Sequence, residues 1–132
     1  MPIYSEKLTI PANTLESNPV SLDIVLKQKF ITRMEIGYPK GCHYMVGTQI
    51  KYGIKMFWPE KAGTWIWGEN EIVAWEERFE MPSVNEKLTI FGCSPETSYD
   101  HKIVIKIMTL PLGFYFLEIL LNKLYRLWER II

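Results

Sequence analysis

The sequence has no charge of one sign to spare. Its fifteen basic and fifteen acidic residues cancel, and no stretch gathers Lys or Arg into a block. Nucleic-acid binding draws on clustered cations that neutralise phosphates, so that function is set aside. Cysteine and histidine are scarce, at two each. No glycine-rich phosphate loop, GxSxG elbow, HExxH pair or EF-hand loop occurs. The opening "MPIYSEKLTI" puts Ser5, Glu6 and Lys7 where a secretory signal needs an apolar stretch of roughly 7–15 residues. The protein is therefore expected to be made and kept in a cytoplasm, without export by a signal peptide. Long uninterrupted apolar runs are also missing. The greasiest segment, "LPLGFYFLEILLNKLYRLWERII", is broken by Glu118, Lys123 and Arg126, whereas a bilayer span needs about 20 mostly apolar residues.

What is present suits one small globule. A chain of 132 residues can bury a single core without metal or disulfide staples, and 48% apolar content is ordinary for a folded domain. Aromatics are abundant at 14%, with five Trp. That richness points to a sandwich core or an aromatic binding surface.

Alternation with period two recurs along residues 1–111. Tyr4, Leu8 and Ile10 form one apolar face, and Val20, Leu22, Ile24 and Leu26 a second. Phe30, Met34, Ile36 and Tyr38 follow, then Tyr44, Val46 and Ile50. "KYGIK" reads as a hairpin turn in which Gly53 supplies a positive φ. "IKMFWPE", a short aromatic strand in "KAGTWIWGENE", and "EIVAWEERFEMP" come next, before "EKLTIFGCSP" and "DHKIVIKIMTLP". Turn signals every 8–12 residues and no βαβ rhythm predict an all-β antiparallel sandwich of about eight strands, of jelly-roll or Greek-key type.

Beyond a joint at Pro111 and Gly113 the period changes to that of a helix over residues 112–132. Glu118, Asn122, Lys123, Arg126, Glu129 and Arg130 share one arc. Leu117, Leu120, Leu121, Leu124, Leu127, Trp128 and Ile131 lie opposite, with Tyr125 beside them. This amphipathic helix is the first candidate site. It could dock on partner subunits, with Leu117, Leu120, Leu121, Leu124, Tyr125, Leu127, Trp128 and Ile131 as the contact surface. It could also lie on a membrane surface, with Tyr125 and Trp128 at the interface. Packing on its own sandwich ranks third, because several strands alternate cleanly with polar residues and show no obvious spare apolar face.

Other residues carry groups capable of chemistry. Cys42, His43, Cys93 and His101 make a poor zinc set, since adjacent Cys42 and His43 on a strand would point to opposite faces. A Cys42–Cys93 disulfide stays open beside buried reduced thiols. Asp100–His101 reads as a turn leading into the last strand rather than an acid–base pair. Glu76 and Glu80, with Arg78 between them, read as a solvated strand face. Trp65 and Trp67, with Glu69 and Asn70 just beyond, could form a stacking platform for a carbohydrate, against the plainer reading that large aromatics fill the core. No catalytic residue and no cofactor is expected.

The order "IPANTLESNPV", then "ITRMEIGYPKGCHYMVGTQIKYGIKMFWPE", then "FEMPSVNEKLTIFGCSPETSYDHKIVIKI" followed by "LP" is similar to small β-sandwich proteins of archaeal and bacterial viruses and integrated elements. The similarity spans about residues 8 to 111 and rests on structural glycines and prolines, with the tail going beyond it. It implies a virion or capsid-associated jelly-roll subunit without enzymatic activity, a homo-oligomer that also meets other virion proteins. A carbohydrate-binding module is the alternative.

Overall fold

The computed structural model describes residues 3–27, 30–53, 55–61, 63–82, 85–110 and 112–131. Nine strands precede one helix: β1 (Ile3–Ile10), β2 (Val20–Leu26), β3 (Phe30–Tyr38), β4 (Val46–Tyr52), β5 (Lys55–Trp58), β6 (Ile66–Gly68), β7 (Glu71–Glu80), β8 (Glu86–Cys93), β9 (His101–Leu110) and α1 (Leu112–Ile131). One antiparallel sheet has the order β1-β9-β3-β7 and the other β2-β8-β4-β5, with β6 also pairing β4. β5 takes the Ile50–Tyr52 end of β4 and β6 the Val46–Thr48 end, so nine strands occupy eight places. Most successive strands alternate between the sheets, which gives a jelly roll.

The period-two pattern works because each sheet buries one face against the other. Leu8, Ile10, Met34, Ile36, Ile103, Ile105 and Ile107 of the first sheet meet Ile24, Leu26, Val46, Ile50, Leu88 and Ile90 of the second, all buried. β9, central in its sheet, contributes three isoleucines with no exposed surface. Outer faces are polar where the sequence alternates: Asp23 accepts from Thr89 Oγ1 across the β2–β8 pair and meets Lys87. The far edge between the sheets is closed by aromatics. Trp58 stacks on Trp75, and Phe57 meets Phe79 edge-on with ring centroids 4.5 Å apart.

Tyr38 ties the two sheets together. Its ring lies over Gly68, its hydroxyl donates to the Ile66 carbonyl at 2.7 Å, and it sits 2.6 Å from Thr48 Oγ1. Since its single proton goes to Ile66, Thr48 must be the donor in the second bond. Burial holds this phenol well above its ordinary pKa, and the Thr48 bond only partly offsets that.

Several expectations change. A register shift between Ile31 and Arg33, against both neighbours, puts Ile31 rather than Phe30 inside. Tyr44 lies in the β3–β4 loop, not in a strand, because β4 begins at Val46. Trp65 precedes β6, whereas Trp67 lies within it, so the two rings of the expected platform do not come from one strand. Gly53 has the expected positive φ of 60° in the β4–β5 turn, while Ile54 of that turn lies outside the described residues. Pro111 also lies outside them, and Gly113 is inside α1 rather than in a joint.

Removing the Tyr38 hydroxyl leaves Thr48 Oγ1 and the Ile66 carbonyl buried with a lost partner. Tyr38→Phe should therefore lower unfolding free energy in urea by about 1–3 kcal/mol. Gly68→Ala should cost at least as much, because its β-carbon would fall within the Tyr38 ring. Among the described residues the buried core takes nothing from α1, so a chain ending at Leu110 should keep a cooperative thermal transition within a few degrees of the full chain.

Candidate functional site

α1 follows directly on the central strand β9, and among the described residues no strand makes extensive contact with it. The apolar residues at its helical spacing are exposed, from 49% at Leu117 to 81% at Ile131. Leu120, Leu121, Leu124, Leu127 and Trp128 lie between, and Tyr125 is equally open. Lys123, Arg126, Glu129 and Arg130 are exposed as well. Arg130 in the last turn complements the negative end of the helix dipole. Among the described residues, no helix is long and apolar enough to cross a membrane. An amphipathic helix gains most of its stability from whatever covers its apolar face.

The second candidate lies where the loops β1–β2, β3–β4, β6–β7 and β8–β9 meet. Gly41 is the hub, at φ 102°, a conformation that favours glycine. Its carbonyl accepts from Tyr99 Oη at 2.9 Å and pairs with His101 Nε2 at 3.2 Å. Glu69 accepts from the amides of Gly41, at 2.9 Å, and of His43. These bonds hold His43 and Tyr44 in consecutive left-handed conformations, at φ 48° and 57°. They also lower the Glu69 carboxyl below its ordinary pKa, the Gly41 bond most. Asp100 accepts from the Ala12 amide at 2.9 Å and so belongs to a turn. Ser94 Oγ donates to the Pro11 carbonyl at 2.7 Å, and its amide to Thr14 at 2.8 Å. His101 is buried, and its Nδ1 is the one buried side-chain polar atom among the described residues with no hydrogen-bond partner.

The sequence-level platform is thus only partly assembled. Trp65 and Trp67 are half-buried, and the Trp67 ring lies against Gly47, where a β-carbon would come within 3.0 Å of it. Glu69 is engaged by the loop amides, and Asn70 turns the chain at φ 45°. Trp67 instead joins Tyr44, Met45, Pro95, Glu16 and Glu96 in a cleft of about 420 Å³. Of these only Trp67 stood out in the sequence. Tyr44 reaches the cleft through a left-handed turn set by Glu69, a contact without local signature.

Cys42 and Cys93 are buried free thiols, so the disulfide is not formed. Burial pushes Cys42 up to about 11 and Cys93 up to about 12, well away from a reactive thiolate. Cys42 sits in the β3–β4 loop, not on a strand beside His43. Among the described residues, no three His, Cys, Asp or Glu side chains converge where a metal ion could be held. Glu76, Arg78 and Glu80 line the exposed face of β7, while Glu77 accepts from Trp75 Nε1 at 3.0 Å.

Strand order and loop placement define the chain as a jelly-roll β-sandwich carrying a C-terminal helix. No protein-family model matches it, and no curated protein does. Among solved structures, it is similar to a chain of the cyanophage Pam1 capsid asymmetric unit, with a TM-score of 0.55 and 10% identity over 83% of this chain and 84% of that one. It shares that chain's fold. Looser likenesses include tomato aspermy virus (TM-score 0.41, 10% identity, 83% and 79% of the two chains) and a de novo designed double-stranded β-helix (0.39, 13%, 80% and 99%).

The folded Glu69 carboxyl loses its proton more readily than the unfolded one. Its stabilisation is complete above the ordinary value near 4.5 and is lost as pH falls through the lowered folded value. Glu69→Gln should therefore flatten the loss of stability below pH 4.5, measured by urea unfolding across acid pH. Native protein at pH 8 should react with a thiol reagent only as fast as it opens, and both thiols should titrate at once in denaturant.

Proposed function

We propose that this chain is a non-enzymatic structural subunit of a virus-like assembly, in which the jelly roll supplies the body and α1 docks the subunit to its neighbours. One observation carries the reading: a jelly roll of the kind found in a cyanophage capsid chain holds out an amphipathic helix with its apolar face open. The body's reactive-looking groups support it. Glu69 and Asp100 accept loop amides, His101 packs under Tyr99 and pairs with Gly41, and both thiols are raised by burial. These groups hold loops in place. Docking on partner subunits ranks ahead of contact with a membrane surface, because α1 sets Glu118 and Glu129 against Lys123, Arg126 and Arg130 and offers little net pull toward anionic lipid.

The Trp67–Tyr44 cleft favours one other reading, a carbohydrate-binding module, since an aromatic floor beside Glu16 and Glu96 suits a sugar ring and its hydroxyls. The two readings separate cleanly in experiment. An assembly subunit should give particles or oligomers by light scattering and electron microscopy, and no glycan-array signal. A monomer with glycan binding that is lost in Trp67→Ala would replace the structural role with the lectin one.

A further inference from the structure

The exposed residues of α1 fall into a seven-residue repeat. Leu117, Leu124 and Ile131 occupy one position and Leu120 and Leu127 the position three further on, so apolar side chains recur at the spacing of a helix–helix seam. Leu121 and Trp128 fall next to that second position in each repeat and widen the stripe beyond what a two-helix seam covers. Each of these seven side chains is about half exposed or more. Together they leave on the order of several hundred Å² of apolar surface on one helix, against ~800 Å² per partner in a stable interface. An uncovered patch of that size is unusual for a monomer.

We propose that α1 is a self-association element: α1 helices of three or more copies pack side by side, in parallel, into a bundle with Leu117, Leu120, Leu124, Leu127 and Ile131 at its centre. This rests on the assembly reading above and names its partner as a second copy of this chain. Copies related by a rotation axis along the bundle present the same face of α1 in the same direction, which the repeat satisfies without any change in register. The parallel arrangement also places Lys123 beside the partner's Trp128, five residues on, where an ammonium meets an indole face. Asn122, Arg126 and Glu129 stay on the solvent side. Tyr125 falls at the rim and contributes less than the leucines.

The test uses the full-length chain by sedimentation velocity without lipid. A species of three or more copies is expected. Leu124→Asp should weaken association at least about tenfold by placing a charge in the seam, whereas Asn122→Ala should change nothing. Both variants should keep the parent's thermal transition, which shows that the sandwich is intact. Leu117→Cys, mildly oxidised, should give disulfide-linked dimers, because parallel helices bring equivalent ends together. An oligomer that dissociates with Leu124→Asp but gives no Leu117→Cys cross-link overturns the parallel bundle. An oligomer unmoved by Leu124→Asp overturns α1 as the element but leaves the assembly reading standing. A monomer that floats with phosphatidylcholine–phosphatidylglycerol vesicles replaces the second copy with a lipid surface. A monomer that neither associates nor floats removes both the bundle and the docking role.

Discussion

The tie between the two sheets at Tyr38 is the constraint on which the loop end of the molecule depends. A strand of the first sheet sends one hydroxyl across the core to Thr48 of β4 and the Ile66 carbonyl of β6. The same ring fills the space that glycine leaves open at position 68. Gly68 in turn accepts from the Tyr44 amide at 3.2 Å, and the Pro39 carbonyl, next to Tyr38, accepts from Asn70 at 3.2 Å. Loop positions at this end are therefore referenced to the packed interior rather than to each other. That is how two successive left-handed residues, His43 and Tyr44, persist without glycine.

The loop end of the sandwich and α1 differ in kind. The loop end is over-determined: carboxylates accept amides, Tyr99 and His101 share one carbonyl, and Ser94 spans to Pro11 and Thr14. Polar groups satisfied in this way fix the geometry of the loops that carry them. α1 is the reverse, an element whose order is local and whose apolar face is uncovered. In a protein with large opposing terms and a small net stability, such a face is a reserve of binding free energy held outside the fold.

Much of the architecture was legible because burial on one face of a strand writes itself into every second residue. Leu8 and Ile10, Ile24 and Leu26, and Ile103, Ile105 and Ile107 all sit where alternation put them. The misses have a common cause, which is information held by distant partners. The register shift next to Ile31 is set by β7 and β9, so Phe30 looked as core-like as its neighbour. Tyr44 looked strand-like because the Glu69 carboxylate that turns it lies 25 residues further on in sequence. The Trp58–Trp75 stack joins β5 to β7 across the sandwich, so the aromatic cluster could be read as an exposed platform as easily as an edge seal. Helical spacing in α1, by contrast, needs no partner to be seen.

β9 lies inside its sheet, flanked by β1 and β3, and α1 continues from it. The helix therefore starts from a strand whose backbone is hydrogen-bonded on both sides, from Ile3 to Ile10 of β1 and from Phe30 to Gly37 of β3. A pull on α1 would be shared between two ladders before any one strand could peel away. An edge strand, held by one ladder, would give up its bonds one pair at a time.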